Sequence, residues 1–406
     1  MSLSIVGAPF WRTPGLMAVL AALNADGEEA RVVGGAVRNT LLGLPVSDVD
    51  IATTAVPEVV AERARKAGLK PVPTGVEHGT VTVVADHHAF EVTTLREDME
   101  TDGRRAVVRF GRSWLHDAER RDFTLNALYA TADGAVVDLV GGLSDLTARR
   151  IRFIGDPQAR IREDYLRILR LFRFHAAYGA GPVDKDAFIA SVRRRAGLLT
   201  LSRERVRTEM LKLLVAPGAA ATLAVMSDAG LVQPLIAGIA DVGAFTRLAA
   251  LEREWQAKPD AIRRLAALAV RVSDDAARLR DRLRLSNAEA RRLAALSATV
   301  PDLPDARAVR AFLYRNGVDS ALDLALLAAA HGRGGMEAVA AMAASWTPPR
   351  LPFAAADLMG LGLTPGRALG AALARAEARW IAADFPTDPD VVAGLLAEAV
   401  KASSAA

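Results

Sequence analysis

The chain has 406 residues, of which 51% are apolar, and a formal net charge of +4 at pH 7, so it is long enough for roughly two or three folded domains and its charge permits a polyanionic partner. The absence of cysteine excludes disulfides, thiolate nucleophiles and cysteine-bound zinc, which leaves carboxylates, histidines and water as metal ligands and favours Mg²⁺. No apolar run is long enough to span a membrane and the start of the chain lacks a signal-peptide pattern, which predicts a cytoplasmic protein.

Short strands alternate with a few helical stretches from Arg31 to about Val140, which predicts a mixed α/β region. The segments TVTVVA and AFEVTTL are separated only by the polar DHH, which predicts an antiparallel hairpin. From about Ala148 onward the strand signals fade, and Ala/Leu/Arg segments with helical periodicity take over. The predicted fold class is therefore α+β, with a small mixed sheet followed by an all-helical remainder.

Turn-forming residues divide this helical remainder. Breaks fall at Pro217-Gly218, at the PDLP that begins at Pro301, and at Pro348-Pro349, which predicts successive helical subdomains. Ser286 followed by Glu289 predicts a capping box that opens the helix AEARRLAALSA.

A glycine pair follows the first predicted strand. The strand ARVV runs into Gly34-Gly35, and Arg38 lies one turn into the short helix that comes next. Two glycines at a helix N-terminus let backbone N–H groups approach a phosphate closely. A lone Gly-Gly is equally typical of a tight strand-to-helix turn, so the interpretation as a phosphate site depends on the residues that follow.

A pair of aspartates comes next in the chain. Asp48 and Asp50 lead into the strand IATT, and their spacing predicts that both carboxylates lie on one strand face. Two like charges held together need a cation, which favours a site for magnesium-bound triphosphate with both aspartates as metal ligands. Glu91 in AFEVTTL completes this catalytic set if its strand lies beside the first, and is otherwise a half-exposed strand residue.

A later segment carries a regular series of polar residues. They recur at every third position of IREDYLRILRLFRF, as Asp164, Arg167, Arg170 and Arg173. Residues three apart are neighbours on a helix surface, so the series is predicted to form a row of one acceptor and three donors along one helix face. The alternative is a solvated charged edge of the helix. The apolar stripe predicted beside it is Tyr165, Ile168, Leu169 and Phe172. Upstream, His116 and Asp117 are interpreted as a solvated pair.

Three motifs occur in a fixed order along the chain. They are Gly34–Arg38 with Asp48-x-Asp50, the segment RRDFTLNA from Arg120 to Ala127, and Glu163-Asp164-x-x-Arg167. Together they resemble the class II tRNA nucleotidyltransferases and bacterial poly(A) polymerases. The likeness covers about Arg31 to Phe174, and more faintly Asp357 to Trp380. Asn39 stands where the family usually carries aspartate after the motif arginine, so one charge is absent there.

The resemblance implies a division of the chain and roles for its residues. It implies a nucleotidyltransferase head at residues 1–147, a helical neck with the nucleotide-base and RNA-binding helix at 148–216, a helical body at 217–300 and a tRNA-binding helical tail at 301–406. It implies that Asp164 and Arg167 act as a protein template for the base, that Arg121 contacts a phosphate or ribose, and that Arg170 holds phosphates or the base. The full nucleotide-binding set is Gly34, Gly35, Arg38, Arg121, Asp164, Arg167, Arg170 and Arg173.

The implied reaction is attack of an RNA 3′-hydroxyl on the α-phosphate of CTP or ATP, with tRNA as the substrate, CCA as the product and no obligatory protein partner. By the resemblance, the segment Leu95–Ala118 matches a loop that helps the family's site change from C to A, which favours complete CCA synthesis over CC addition alone. An ordinary solvated loop explains the composition of this segment equally well. A poly(A) polymerase using the same head is the closest alternative. A non-catalytic RNA-binding protein is a remote one, since such a protein would be expected to have lost an aspartate.

Overall fold

The computed structural model describes residues 3–73, 75, 77, 79–98 and 108–404 and divides the chain into two units, Met1–Leu235 and Ile236–Ala406. Part of the Leu95–Ala118 segment, residues 99–107, lies outside this description. No helix among the described residues is both long enough and apolar enough to cross a membrane.

A mixed sheet is the centre of the first unit, and its strands follow one another in space as β3-β4-β5-β2-β1-β8-β9. Strands β2 and β5 pair in parallel, while the remaining neighbours pair antiparallel. A separate two-stranded ribbon joins β6 to β7. The strands are β1 Ala30–Val33, β2 Asp50–Thr53, β3 Lys70–Val72, β4 Thr80–Ala85, β5 His88–Thr94, β6 Arg96–Asp98, β7 Val108–Phe110, β8 Leu128–Ala130 and β9 Val136–Asp138.

The predicted hairpin is confirmed. Strand β4 alternates half-buried and buried residues, as a strand with one face on a core does. Asp86 and His87 both have positive φ, the conformation of a two-residue turn whose twist matches that of the flanking strands. The turn uses only these two residues, so His88 begins the next strand.

Helices cover the sheet and fill the rest of the first unit. Helix α7 packs against α9 and α10, and a small core beside β1, β2 and β8 contains Val33, Ala52, Leu95, Ala118, Ala127, Tyr129 and Ile154. The helices are α1 Leu16–Leu23, α2 Gly35–Leu41, α3 Pro57–Lys66, α4 Trp114–Glu119, α5 Gly142–Thr147, α6 Pro157–Glu163, α7 Leu166–Tyr178, α8 Lys185–Arg193, α9 Arg203–Leu214 and α10 Ala219–Asp228, and α11 Gln233–Ile236 reaches the boundary of the second unit.

All the named elements in the described part of the second unit are helices, which confirms the predicted α+β class. One of its cores surrounds Trp380, and the predicted capping box is present: Ser286 Oγ accepts from Glu289 N at 3.3 Å, and Ser286 N donates to Glu289 Oε2 at 2.7 Å. Its helices are α12 Val242–Glu254, α13 Ala261–Ala269, α14 Ser273–Leu283, α15 Asn287–Ala295, α16 Ala306–Asn316, α17 Val318–Ala330, α18 Glu337–Ser345, α19 Ala355–Gly360, α20 Arg367–Ala382 and α21 Pro389–Ser404.

Candidate active site

A cavity of about 450 Å³ lies in the first unit, where β1 and β2 meet α7. Most of the residues that the sequence suggested for nucleotide binding line it together. Its lining consists of Gly34, Gly35, Arg38, Asp50, Arg121, Asp122, Asn126, Asp164, Leu166, Arg167, Arg170, Phe174 and Arg205. Residues more than 150 positions apart in sequence thus contribute to one concave, strongly polar surface.

The glycine pair forms the turn from β1 into α2. Gly34 has φ of 70° and ψ of −115°, which a residue with a side chain rarely adopts, and its N–H donates to Leu128 O at 3.0 Å. Gly35 is the first residue of α2, and an added Cβ there would meet only the Arg38 guanidinium, at 3.8 Å. The turn therefore leaves the backbone at the start of α2 open to the cavity.

Arg38 is buried and held by neutral groups. Its Nε and Nη2 donate to Asn39 Oδ1 at 3.1 and 2.8 Å, its Nη1 to Asn126 Oδ1 at 2.5 Å, and its Nη2 to Tyr178 OH at 3.0 Å. The guanidinium also lies over the Tyr178 ring, 4.2 Å from its centroid, and 5.3 Å from that of Phe174. These contacts fix the side chain in one orientation at the cavity wall.

The predicted neighbourhood of Asp50 and Glu91 is present. The two residues are direct register partners on the parallel strands β2 and β5. Loss of solvation raises the pKa of the Asp50 carboxyl, the negative charges of Glu91 and Asp48 raise it further, and Arg121 opposes them. Among the described residues the Asp50 carboxylate has no hydrogen-bond or ion-pair partner. Its environment is therefore one in which a cation is needed.

Asp48 departs from the prediction in one respect. Strand β2 begins at Asp50, so Asp48 lies in the preceding loop, where Ser47 Oγ donates to its Oδ2 at 2.8 Å. Neither Asp48 nor Glu91 lines the 450 Å³ cavity, although both charges act on Asp50. Gly43, with φ of 67°, turns the chain at the end of α2, and the loop that follows contains Asp48.

The donor set fits a divalent cation. Across the described ranges, no three or more of histidine, aspartate and glutamate come together closely enough to hold a metal ion by themselves. Mg²⁺ is commonly bound by one or two carboxylates together with substrate phosphates and water. Asp48 and Asp50 supply that number of carboxylates, with Glu91 beside them. Burial and then the charges of Glu91 and Asp48 raise the pKa of Asp50, and a bound cation would offset that effect.

Arg121 is fixed by a buried carboxylate. Asp117, which is 1% exposed, accepts from Arg121 Nη2 at 2.9 Å, from Arg120 Nε at 2.9 Å and from Tyr129 OH at 2.9 Å. Burial opposes ionisation, but the two arginines hold the pKa of Asp117 below its usual value. The interpretation of His116 and Asp117 as a solvated pair is thus wrong for Asp117, since the two arginines that follow it compensate its charge inside the core.

A second carboxylate, that of Asp122, links the segment before β8 to α7. Asp122 Oδ2 accepts from Arg170 Nε at 2.6 Å, and Asp122 Oδ1 accepts from Asn126 Nδ2 at 3.0 Å. Burial by itself would raise the pKa of Asp122, but the charge of Arg170 and the hydrogen bond from Asn126 keep that pKa below its usual value. Asn126 Oδ1 also accepts from Arg38 Nη1. Hydrogen bonds therefore connect Arg38, next to the glycine turn, through Asn126 and Asp122 to Arg170 on α7.

Asp164 lies between two helices and not within one. Helix α6 ends at Glu163 and α7 begins at Leu166, and Asp164 has extended backbone angles of −153° and 107°. Its Oδ1 accepts from Leu166 N at 3.0 Å, and its Oδ2 pairs with Arg205 Nη2 at 2.6 Å. The prediction that all four polar residues lie on one helix is wrong for Asp164, because its side chain accepts from an N–H at the start of α7 and the residue lies outside that helix.

The other members of the series separate into two groups. Arg167 lines the cavity, and its Nη1 donates to Glu163 Oε2 at 2.5 Å and to Arg160 O at 2.8 Å. Arg173 does not line the cavity; its Nε donates to Glu209 Oε2 at 2.5 Å, and it lies over the Phe174 ring at 4.1 Å. The predicted apolar stripe is buried at Ile168, Leu169 and Phe172, while Tyr165 is half-buried.

Arg205 was not found by sequence reasoning. It comes from α9 and reaches Asp164 across a separation of 41 residues. Nothing in the segment LSRERVRTEM distinguishes this arginine from its neighbours, because its position depends on how α9 packs against α7.

Family models match two stretches of the chain. The model for the poly(A) polymerase head domain matches residues 30–152, and the model for a probable RNA and SrmB-binding site of polymerase A matches residues 183–242. The mitochondrial CCA tRNA nucleotidyltransferase 1 of Mus musculus is 31% identical over 390 residues, which cover 93% of this chain and 88% of the relative. The chain belongs to the CCA-adding tRNA nucleotidyltransferase family. A further member, the CCA-adding enzyme of Limosilactobacillus fermentum, is 35% identical over 369 residues, 87% of this chain and 89% of that enzyme.

Solved structures of the family share the fold. The Bacillus stearothermophilus CCA-adding enzyme in complex with CTP aligns with a TM-score of 0.75 and 28% identity over 98% of this chain and 100% of that one. The Thermotoga maritima CCA-adding enzyme complexed with tRNA aligns with a TM-score of 0.69 at 19% identity, over 95% of each chain, which shows the fold alone. The likeness therefore extends through the helical part as well as the sheet.

Proposed function

We propose that this protein adds CCA to the 3′ end of tRNA without a nucleic-acid template, using CTP and ATP and releasing pyrophosphate. The observation that carries the proposal is the single cavity in which the glycine turn, Arg38, Asp50 and the pair Asp164 and Arg167 meet. A phosphate-binding turn, a carboxylate of the kind that binds a metal, and an acceptor and a donor for the edge of a base are the parts this reaction needs. Membership of the family, whose named relatives are CCA-adding enzymes, supports it.

The first part of the mechanism is the holding of the triphosphate. The backbone at Gly34 and Gly35, the Arg38 guanidinium and the Arg121 guanidinium line one side of the cavity, next to Asp50. Asp117 and Tyr129 hold Arg121 in place before the nucleotide arrives, so little ordering is left for the reaction itself.

The second part is the transfer. The terminal 3′-hydroxyl of the tRNA attacks the α-phosphorus, the bond to the bridging oxygen breaks, pyrophosphate leaves, and the hydroxyl proton passes to solvent. Asp48 and Asp50 would hold Mg²⁺, with Glu91 adjacent. The metal, when bound, would lower the pKa of the attacking hydroxyl and neutralise charge on the leaving group. Mg²⁺ as the metal, a cytoplasmic location and the lack of an obligatory protein partner are parts of the same proposal.

The third part is the choice of base. Asp164 accepts from the exocyclic amine of cytosine or adenine, and Arg167 donates to the adjacent ring nitrogen. Uracil and guanine present a carbonyl oxygen and an N–H at those two places, so both contacts become repulsive. Glu163 orients Arg167, and Arg205 orients Asp164. Arg170, paired with Asp122, faces the same cavity, whereas Arg173 is proposed only as a support through Glu209.

The helical remainder would hold the tRNA. We retain the division into a head at residues 1–147, a neck at 148–216, a body at 217–300 and a tail at 301–406 as part of this proposal, with the tail contacting the tRNA.

Incorporation of single nucleotides tests the proposal. Each of the four labelled nucleoside triphosphates is offered with Mg²⁺ to tRNA transcripts that end before CCA, at CC and at CCA. We expect C on the first, A on the second and nothing on the third. A-tails on all three transcripts and on an unrelated RNA would instead identify a poly(A) polymerase, and no incorporation at all would indicate an RNA-binding protein without activity.

A further inference from the structure

The arginines of the cavity differ in how their charge is compensated. Arg121, Arg167, Arg170 and Arg205 each form an ion pair with a carboxylate at 2.5 to 2.9 Å. Within the part of the chain that the structure describes, Arg38 has no ion pair. All of its side-chain acceptors are neutral, namely Asn39 Oδ1, Asn126 Oδ1 and Tyr178 OH. Asp122 acts on it only at longer range and is itself paired with Arg170.

Asn39 is the closest of these neutral acceptors along the chain, and its orientation is determined by its partners. A guanidinium has only donors, so the amide oxygen must face Arg38. The amide nitrogen then faces the opposite way and donates to Pro45 O at 2.9 Å. A carboxylate at this position would make the same contacts to Arg38 with a negative charge, and would place an acceptor against the Pro45 carbonyl.

We propose that Asn39 is a positioning residue that holds Arg38 without neutralising it, so that the whole charge of Arg38 is available to the phosphates of the incoming nucleotide. The proposal rests on the proposed function and adds a residue that determines how strongly the site binds polyphosphate. A buried cation without a counter-ion is costly in the empty site, which is consistent with the burial that lowers the pKa of Arg38. An anion in the cavity removes that cost.

The variant Asn39→Asp isolates the charge. It keeps the shape of the side chain and the acceptor for Arg38, and aspartate is also what the family pattern carries, so the variant is expected to fold. We expect its dissociation constants for pyrophosphate and for CTP, measured calorimetrically without divalent cations, to rise about tenfold, the order expected for a unit charge placed against a partly solvated cation. For CMP, which carries less charge, the change should be much smaller. The tenfold difference should also shrink when salt is added.

Two further variants separate charge from structure. Asn39→Ala removes all three hydrogen bonds of the side chain, two from Arg38 and one to Pro45 O, and adds no charge, so it should weaken pyrophosphate binding less than Asn39→Asp does. Asn24→Asp is a matched control, because Asn24 also donates to backbone carbonyls, those of Leu20 and Ala30 at 2.9 and 3.1 Å, and none of these three residues lines the cavity. Asn24→Asp should reduce thermal stability about as much as Asn39→Asp does, and should leave the dissociation constant for pyrophosphate unchanged.

Three outcomes would overturn the proposal. They are wild-type pyrophosphate affinity in Asn39→Asp, an equal loss in Asn39→Ala, or no pyrophosphate binding by the unmodified chain. Failure of the proposed function is distinguishable from these, since it would show as a chain that binds pyrophosphate and CTP with the expected pattern among the variants but incorporates no nucleotide into tRNA.

Discussion

Asp50 and Glu91 are register partners on the parallel strands β2 and β5, and burial, together with the charge of Glu91, raises the pKa of the Asp50 carboxyl. A raised pKa in the folded protein means that the ionised form is disfavoured, so folding loses stability as pH rises above the ordinary aspartate value of 3.8. In the metal-free protein at neutral pH, the ionised Asp50 beside Glu91 therefore destabilises the fold.

We expect Asp50→Asn to raise the melting temperature of the metal-free protein at pH 7. The gain should vanish as the pH falls toward 3.8, where Asp50 is protonated in the wild type as well. Added Mg²⁺ should stabilise the wild type more than the variant. Differential scanning fluorimetry at several pH values, with EDTA or with Mg²⁺, provides the measurement. A lower melting temperature for the variant at pH 7 without metal would show that the charges of the cluster are already compensated.

The buried Asp117 makes the opposite prediction. Despite its burial, two arginines lower its pKa, so its contribution to stability is present above pH 3.8 and is lost as pH falls through the lower value of the folded state. Asp117→Asn leaves Arg120 and Arg121 without their counter-ion and is expected to cost about 3 kcal/mol of unfolding free energy at neutral pH. Urea unfolding at pH 7 and at acidic pH measures it.

The control for this prediction is Asp133→Asn, which alters an exposed aspartate that accepts from Thr131 Oγ1 at a turn. It should leave the unfolding midpoint nearly unchanged. If Asp117→Asn were as mild as this control, Asp117 would not be what holds Arg121 at the cavity.

Arg167→Ala tests the choice of base. Removal of the donor leaves Asp164 alone to discriminate, so incorporation of UTP and GTP relative to CTP should increase by about tenfold or more. Competition between labelled nucleotides on a tRNA that ends before CCA gives the ratio. The exposed Arg162 lies on α6, and Arg162→Ala should leave the ratio unchanged.

A different result for Arg167→Ala would assign it another role. If KM rose equally for all four nucleotides while the ratio stayed constant, Arg167 would be a phosphate contact and not part of the base-reading pair.

The fold class and most of the site could be predicted because their signals are local. The two-residue turn at Asp86 and His87 and the capping box at Ser286 depend only on neighbouring residues, and the motifs around Gly34 and Arg121 are short. These were recognisable in the sequence, and their elements lie where expected.

What was missed depends on packing between distant segments. Asp117 is one residue of an ordinary charged stretch until Tyr129 and two arginines surround it. The regular spacing from Asp164 to Arg173 indicated one helix, but the Asp164 carboxylate satisfies the Leu166 N–H and Arg205 is paired with it from another helix. A period in the sequence cannot distinguish a helical residue from one that precedes the helix and caps it.

The length of the product formed on a tRNA transcript that lacks CCA is the most direct test of CCA addition at this site. The reaction contains CTP, ATP and Mg²⁺ together, and the wild type is compared with Asp50→Ala. We predict that the wild type adds C, C and A and then stops, and that Asp50→Ala adds nothing while still binding the tRNA. Continued extension by the wild type, or addition by Asp50→Ala at the wild-type rate, would contradict the account.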